Sequence, residues 1–283
     1  MIKRKAHFWE AKAGWSDFFT SLILFAIAIA FIFPIFWTVM MSLKETVDAL
    51  AMPPVWLFKP TFKHYLSVWG DGRFLKYGIN SLIVALSATL IGVSLATPAA
   101  YIFARYKPRG QQFMLFGILS TRMIPQVTFM IPFFIVFSRL RILDTYPAII
   151  IMHLTIILGF VIWLMRSYFM EIPVELEEAA LIDGCSHFQA FVRIILPIAA
   201  PGLATSAIFS FIYSWNEFLY AMVVTGTKTK TIPLGVYSWV AWEEVHWGEL
   251  TSTAVLAMIP VVIFYFFVQK ALVRGLTMGA MKG

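Results

Sequence analysis

Residues 146–197 read YPAII IMHLTIILGF VIWLMRSYFM EIPVELEEAA LIDGCSHFQA FVRIILP, and two opposite kinds of segment meet inside that stretch. Up to Met165 no Asp, Glu, Lys or Arg interrupts it, and apolar side chains fall on every helical face. A helix needs about 20 such residues to cross about 30 Å of hydrocarbon. After Arg166 the composition turns acidic, with Glu171, Glu175, Glu177, Glu178 and Asp183 in close succession. Pro173 suits the first position of a helix, the glutamates favour its positive N-terminal end, and Gly184 suits its stop. Ser186-His187-Phe188-Gln189 then has the form of a capping box for a second helix. Pro197 and Pro201-Gly202 bend the chain as it enters another apolar run. The stretch therefore predicts a spanning helix, a helix–Gly–helix hairpin in water over 171–192, and a further spanning helix.

The rest of the 283-residue chain repeats the first of these themes. Hydrophobic residues make up 60% of it and charged residues 13%. A soluble domain carries about 25% charged residues, so the composition calls for lipid as solvent. Six apolar windows qualify as spans, at approximately 18–42, 78–104, 111–138, 146–166, 194–222 and 250–271. The expected fold is all-α: one polytopic membrane domain with six transmembrane helices and the cytoplasmic hairpin. The first window follows Lys3, Arg4 and Lys5, but it is too long for a signal-peptide core and no small-residue cleavage site follows, so it reads as a retained signal-anchor.

Charge sets the expected orientation. The net charge of +7 comes from short basic blocks beside apolar runs, which fits membrane-flanking anchors and not a nucleic-acid partner. The turn Arg105-Tyr106-Lys107-Pro108-Arg109 has no acidic residue and places its side in the cytoplasm. Lys12 and the N-terminal block, with Lys270, Arg274 and Lys282 of the tail, fall on the same side, so both termini are assigned to the cytoplasm. The single Cys185 rules out an internal disulfide framework, and the five histidines lack ligand spacing, so no metal site is expected.

At the acidic hairpin a resemblance becomes specific. Glu178-Ala179-Ala180, then Gly184, Ile194, Leu196 and Pro197, match every fixed position of the EAA loop of ABC importer permeases. Asn80-Ser81-Leu82, Arg122-Met123-Ile124-Pro125, Leu143-Asp144-Thr145-Tyr146, Trp215-Asn216-Glu217-Phe218 and the tail from Arg274 to Ala280 resemble the carbohydrate-uptake branch, in the subunit similar to the smaller maltose-type permease. The resemblance covers almost the whole chain after Asp17. It implies that the chain is the transmembrane subunit of an ATP-driven importer in a bacterial or archaeal cytoplasmic (inner) membrane, forming half of the path for a carbohydrate or sugar derivative. It also implies a second permease subunit in a heterodimer, two cytoplasmic ATPase subunits, and an extracytoplasmic solute-binding protein. Glu178, Ala179, Ala180, Asp183, Gly184, Leu196 and Pro197 would couple the chain to an ATPase groove, with Ala179 and Ala180 small enough for close approach. The chain itself has no phosphate loop, since Gly226-Thr227-Lys228-Thr229 lacks the first glycine and its spacing. ATP and magnesium would then sit on the partner ATPases, and the chain alone is not an enzyme.

Polar residues inside spans mark the candidate path. Arg122 would cost about 2.5–3.5 kcal/mol near a helix centre, so it should face protein or water. It either touches solute or pairs first with Glu217 or helix-end carbonyls, and the pairing is the favoured reading. The only two asparagines, Asn80 and Asn216, join Glu217 and the aromatics Tyr213 and Tyr220 as candidates. These aromatics serve equally well as an interfacial belt. The outer loop 226–249 carries Trp239, Trp242 and Trp247 among acidic residues, which fits contact with a binding protein or an interfacial helix on the membrane. Pro34, Pro98, Pro125, Pro132 and Pro260 predict kinks inside spans. Two rival classes remain, a purely structural membrane subunit or assembly factor and a secondary transporter subunit driven by an ion gradient. The latter would usually show paired repeats, and none is seen here.

Overall fold

The computed structural model describes residues 15–240 and 245–278. Among the described residues the regular secondary structure is helical, with one isolated bridge between Val240 and Val245. Helix α1 (Trp15–Ser42) leads through the short α2 (Thr46–Leu50) and α3 (Lys63–Gly70) into α4 (Arg73–Arg105). Then come α5 (Gln111–Met123), α6 (Gln126–Arg139) and α7 (Tyr146–Glu171). The hairpin follows as α8 (Glu175–Ile182) and α9 (His187–Ala190), which runs through a π turn at Phe191–Ile195 into α10 (Leu196–Ile198). The chain ends with α11 (Ala200–Asn216), α12 (Leu219–Val224), α13 (Ile232–Tyr237) and α14 (Trp247–Met278).

Four single helices are long and apolar enough to cross a membrane: α1, α4, α7 and α14. The remaining two of the six expected spans are broken. α5 and α6 meet at 94° across Ile124 and Pro125, and the segment His187–Ile198 meets α11 at 75°. The kink expected at Pro125 is a full break of the helix. Pro125 lacks the N–H that would continue α5, and Ile124 before it is extended, as a residue preceding proline prefers to be. The fifth apolar run does not continue to residue 222 either. α11 stops at Asn216, Glu217 is extended, and the helix restarts as α12. Pro34, Pro98, Pro132 and Pro260 do lie inside helices.

The core lies between α4 and α7, with α11 packed on both. Ala88, Gly92, Ala96 and Ala100 recur every fourth residue, so one face of α4 is made of small side chains. A methyl group built on Gly92 would stand 2.4 Å from Ile157 Cγ2, which shows how closely the two helices approach. Between membrane helices this close packing supplies the attraction that burial from water supplies in soluble cores. α1 differs: its apolar side chains are exposed through most of its length, and it packs mainly on α14. Exposed apolar surface on that scale fits a hydrocarbon or protein neighbour.

Candidate functional site

The acidic hairpin forms as its residues dictate. α8 begins at Glu175, so Pro173 precedes the helix cap at Val174 and does not occupy the first helical position. The helix closes with Cys185 N–H donating to the Ala180 carbonyl at 2.9 Å and Gly184 N–H donating to the Leu181 carbonyl at 3.1 Å. This closure needs a left-handed residue, and Gly184 supplies it at φ +87°. The capping box is present: Gln189 N–H donates to Ser186 Oγ at 3.3 Å, and Ser186 N–H to Gln189 Oε1 at 2.8 Å. Glu178, Ala179, Asp183, Gly184 and Pro197 are exposed and Leu196 is half-buried. Ala180 is buried, so its small size serves the inside of the hairpin and not a close approach from outside. Ile182 is 85% exposed and Phe188 74% exposed, an apolar tip on an otherwise polar unit.

Behind this exposed face lies an anchor that the sequence pattern did not single out. Glu177 is buried and accepts a short hydrogen bond from the Tyr101 hydroxyl of α4. Arg105, one turn further along α4, brings Nε to 3.3 Å from the second Glu177 oxygen and donates Nη2 to the Ile172 carbonyl at 2.8 Å. Tyr101 also packs against Phe169 of α7 and Phe191 of the π turn. The hairpin is therefore fastened to the ends of the core helices α4 and α7. Its signal in the sequence was the spacing of Tyr101 and Arg105, which puts both on one face of α4. Nothing in the sequence connects that face to Glu177.

The six candidate path residues do not form one site. Asn80 is buried, donates to the Lys228 and Lys230 carbonyls at 2.9 Å each, and accepts from the Tyr146 hydroxyl at 2.7 Å. Its polar atoms hold the loop after α12 and the start of α7. Glu217 and Tyr220 are buried as well. Glu217 caps α12 by accepting the Tyr220 N–H at 2.8 Å and the Ala221 N–H at 3.2 Å, while His153 of α7 places Nε2 3.4 Å from Glu217 Oε2. The other ring nitrogen of His153 lies 2.6 Å from Ser214 Oγ on α11. The pattern had passed over His153, because only the fold brings α7 against the end of α11. The favoured Arg122–Glu217 pairing is not made. Instead the Arg122 guanidinium lies over the Phe160 ring, 5.3 Å from its centre.

Arg122 and Tyr213 share a cleft of about 250 Å³ at the break between α5 and α6. Asn216 lines a different and larger space, an apolar groove of about 820 Å³ bounded by α1, α11, α13 and α14. Among the described residues, no group of three or more His, Cys, Asp or Glu is placed to hold a metal ion.

On the opposite end of the helices from the hairpin, Asp144 gathers the loop after α12. It accepts the N–H groups of Gly226 at 2.8 Å, Lys228 at 3.1 Å and Thr229 at 3.0 Å, together with the Thr229 hydroxyl at 2.8 Å. Burial acts to raise its pKa, but the hydrogen bonds from Gly226, Thr229 and Lys228 outweigh burial and pull Asp144 down to about 2. Of the three loop tryptophans, Trp239 lies under the Arg73 guanidinium at 5.8 Å, and Trp247 is exposed in the first turn of α14. Trp242 lies outside the described residues, as do the N-terminal basic block and the tail beyond Met278. The outer loop is shorter than the expected 226–249, since α13 and the start of α14 occupy part of it.

Six apolar segments, two of them broken at depth, with a capped hairpin projecting between the fourth and fifth, define a transport permease. Residues 88–278 match the family described as binding-protein-dependent transport system inner membrane component, and the chain belongs to that family. It is 39% identical to a probable ABC transporter permease protein of Sinorhizobium fredii, over 90% of this chain and 92% of that one. It is 35% identical to the trehalose/maltose transport system permease protein of Thermococcus litoralis, over 93% and 96% of the two chains. Among solved structures, it resembles a chain of a bacterial ABC transporter involved in the import of the acidic polysaccharide alginate. That likeness has a TM-score of 0.74 at 26% identity and covers 93% of this chain and 98% of that one.

Proposed function

We propose that this chain is one of two membrane-spanning subunits of an ATP-driven importer, and that it forms half of the path for a carbohydrate or sugar derivative handed over by an extracytoplasmic binding protein. The observation that carries this reading is the two-sided hairpin. Its outer face offers Glu178, Ala179, Asp183, Gly184 and the apolar tip of Ile182 and Phe188, and its inner face is pinned to α4 through Glu177. A rigid unit in water with an unpartnered apolar tip fits a groove on a second protein. A unit fastened at its back transmits the movement of that protein to the helices it is fastened to.

In this reading two ATPase subunits bind the ATP and magnesium, and one of them receives the hairpin. The second permease completes the path in a heterodimer. The chain lies in the cytoplasmic membrane of a bacterium or archaeon, with both termini and the hairpin on the cytoplasmic side. Trp239, Trp242 and Trp247 make the contact with the binding protein. Relatives named for trehalose and maltose, and a structural neighbour that takes up an acidic polysaccharide, support a carbohydrate cargo and leave its charge open.

The test is purification of the tagged chain in mild detergent, with identification of what accompanies it. A second permease and a Walker-motif ATPase should co-purify, and the ATPase should be lost on changing Glu178 and Gly184. Recovery of the chain alone, transporting under an ion gradient in liposomes, would overturn the reading.

A further inference from the structure

We propose that the cleft at the break between α5 and α6 binds a negatively charged sugar unit, with Arg122 as the residue that receives its anionic group. The proposal rests on the importer reading above and adds to it the charge of the cargo.

Arg122 stands in the last turn of α5, two residues before the extended Ile124-Pro125 break. The cleft beside it is lined, apart from Arg122, by residues of α7 and α11. The guanidinium pairs with no carboxylate among the described residues. Glu217 lies close enough to act on the neighbouring Tyr213, but its two oxygens are committed to His153 and to the N–H groups of Tyr220 and Ala221. Arg122 is held instead by the face of Phe160, which in turn meets Phe209 edge-on at 5.8 Å. Cation–π contact keeps a guanidinium in place while leaving its N–H fork free.

The other groups at the cleft suit a sugar. Ser210 is 1% exposed, lines the cleft, and its hydroxyl has no hydrogen-bond partner among the described residues. A buried hydroxyl without a partner is uncommon and marks a place where a polar group can be received. The Tyr213 hydroxyl, bonded to the Gln126 amide, adds a second polar point across the break. Phe160 and Phe209 present apolar faces of the kind that C–H groups of a sugar ring pack on. A planar guanidinium takes a carboxylate through two parallel hydrogen bonds. A neutral sugar would leave the arginine without a counterion.

The experiment compares radiolabelled methyl β-glucuronide and methyl β-glucoside, which differ by one carboxylate, in equilibrium binding to the purified importer complex in nanodiscs. The wild-type complex should bind the glucuronide at least ten-fold more tightly. Arg122→Gln should reduce that ratio to below two, and Arg122→Lys should restore part of it. Equal binding of the two probes by the wild type would overturn the proposal. So would a preference that survives in Arg122→Gln. Loss of the second permease from the Arg122→Gln complex would also overturn it, because it would identify the counterion as a carboxylate of that subunit. Co-purification of an ATPase with the same preparations, and ATP-dependent uptake, report on the importer reading separately from this one.

Discussion

Glu177→Ala should uncouple ATP hydrolysis from transport without unfolding the membrane core. Removing the carboxylate takes away the acceptor of the Tyr101 hydroxyl and the partner of Arg105, whose side chain is only 11% exposed. Leaving one member of a buried ion pair behind costs about 3–5 kcal/mol. Arg105 keeps its bond to the Ile172 carbonyl, so the lower end, about 3 kcal/mol, is the better estimate here. That corresponds to about a hundred-fold shift in the balance between fastened and unfastened hairpin. The assay is the reconstituted complex in proteoliposomes, with ATP hydrolysis and solute uptake measured on the same vesicles. Uptake per ATP should fall at least ten-fold, while basal hydrolysis and co-purification of the ATPase persist, because the exposed docking face is untouched. Glu177→Gln should fall between, since its amide oxygen still accepts from Tyr101. A double-mutant cycle with Tyr101→Phe should show non-additivity. Uptake per ATP within two-fold of wild type in Glu177→Ala would refute the anchoring role.

Three further outcomes follow from the same geometry. At Gly184 nothing lies within 4 Å of an added Cβ, so Gly184→Ala should cost only the left-handed backbone, about 1–2 kcal/mol, whereas Gly184→Trp should abolish transport and ATPase co-purification while membrane insertion stays normal. Normal uptake by the tryptophan variant would sink the lever. Gly92→Leu must push α4 and α7 apart and should destabilise the chain by about 1–3 kcal/mol or more, read as a lower melting temperature in detergent. Asp144 is pulled down to about 2, so its hold on the outer loop is complete above the unfolded carboxylate range near 4 and is lost only as pH falls through about 2. Limited proteolysis at residues 226–230 should therefore be unchanged from pH 8 to pH 5 and should increase on Asp144→Asn at pH 7, where the charge-assisted bonds are gone.

Charge and length in the sequence were enough to determine the all-α membrane class, the six apolar segments and the hairpin with its Gly184 stop and Ser186–Gln189 cap. Each of these is local: about 20 apolar residues dictate a span, and a capping box or a left-handed glycine acts within one turn. Tertiary structure decided what depends on residues far apart in the chain. It turned Ala180 inward, joined Glu177 to Tyr101 and Arg105, and brought His153 to Glu217. It used the polar atoms of Asn80 and Glu217 inside the protein, buried Tyr220, and paired Arg122 with no carboxylate among the described residues. Intramembrane polarity is visible in a sequence because it is rare. Whether a polar group is already satisfied depends on which helices pack side by side, and periodicity along one chain carries no such information.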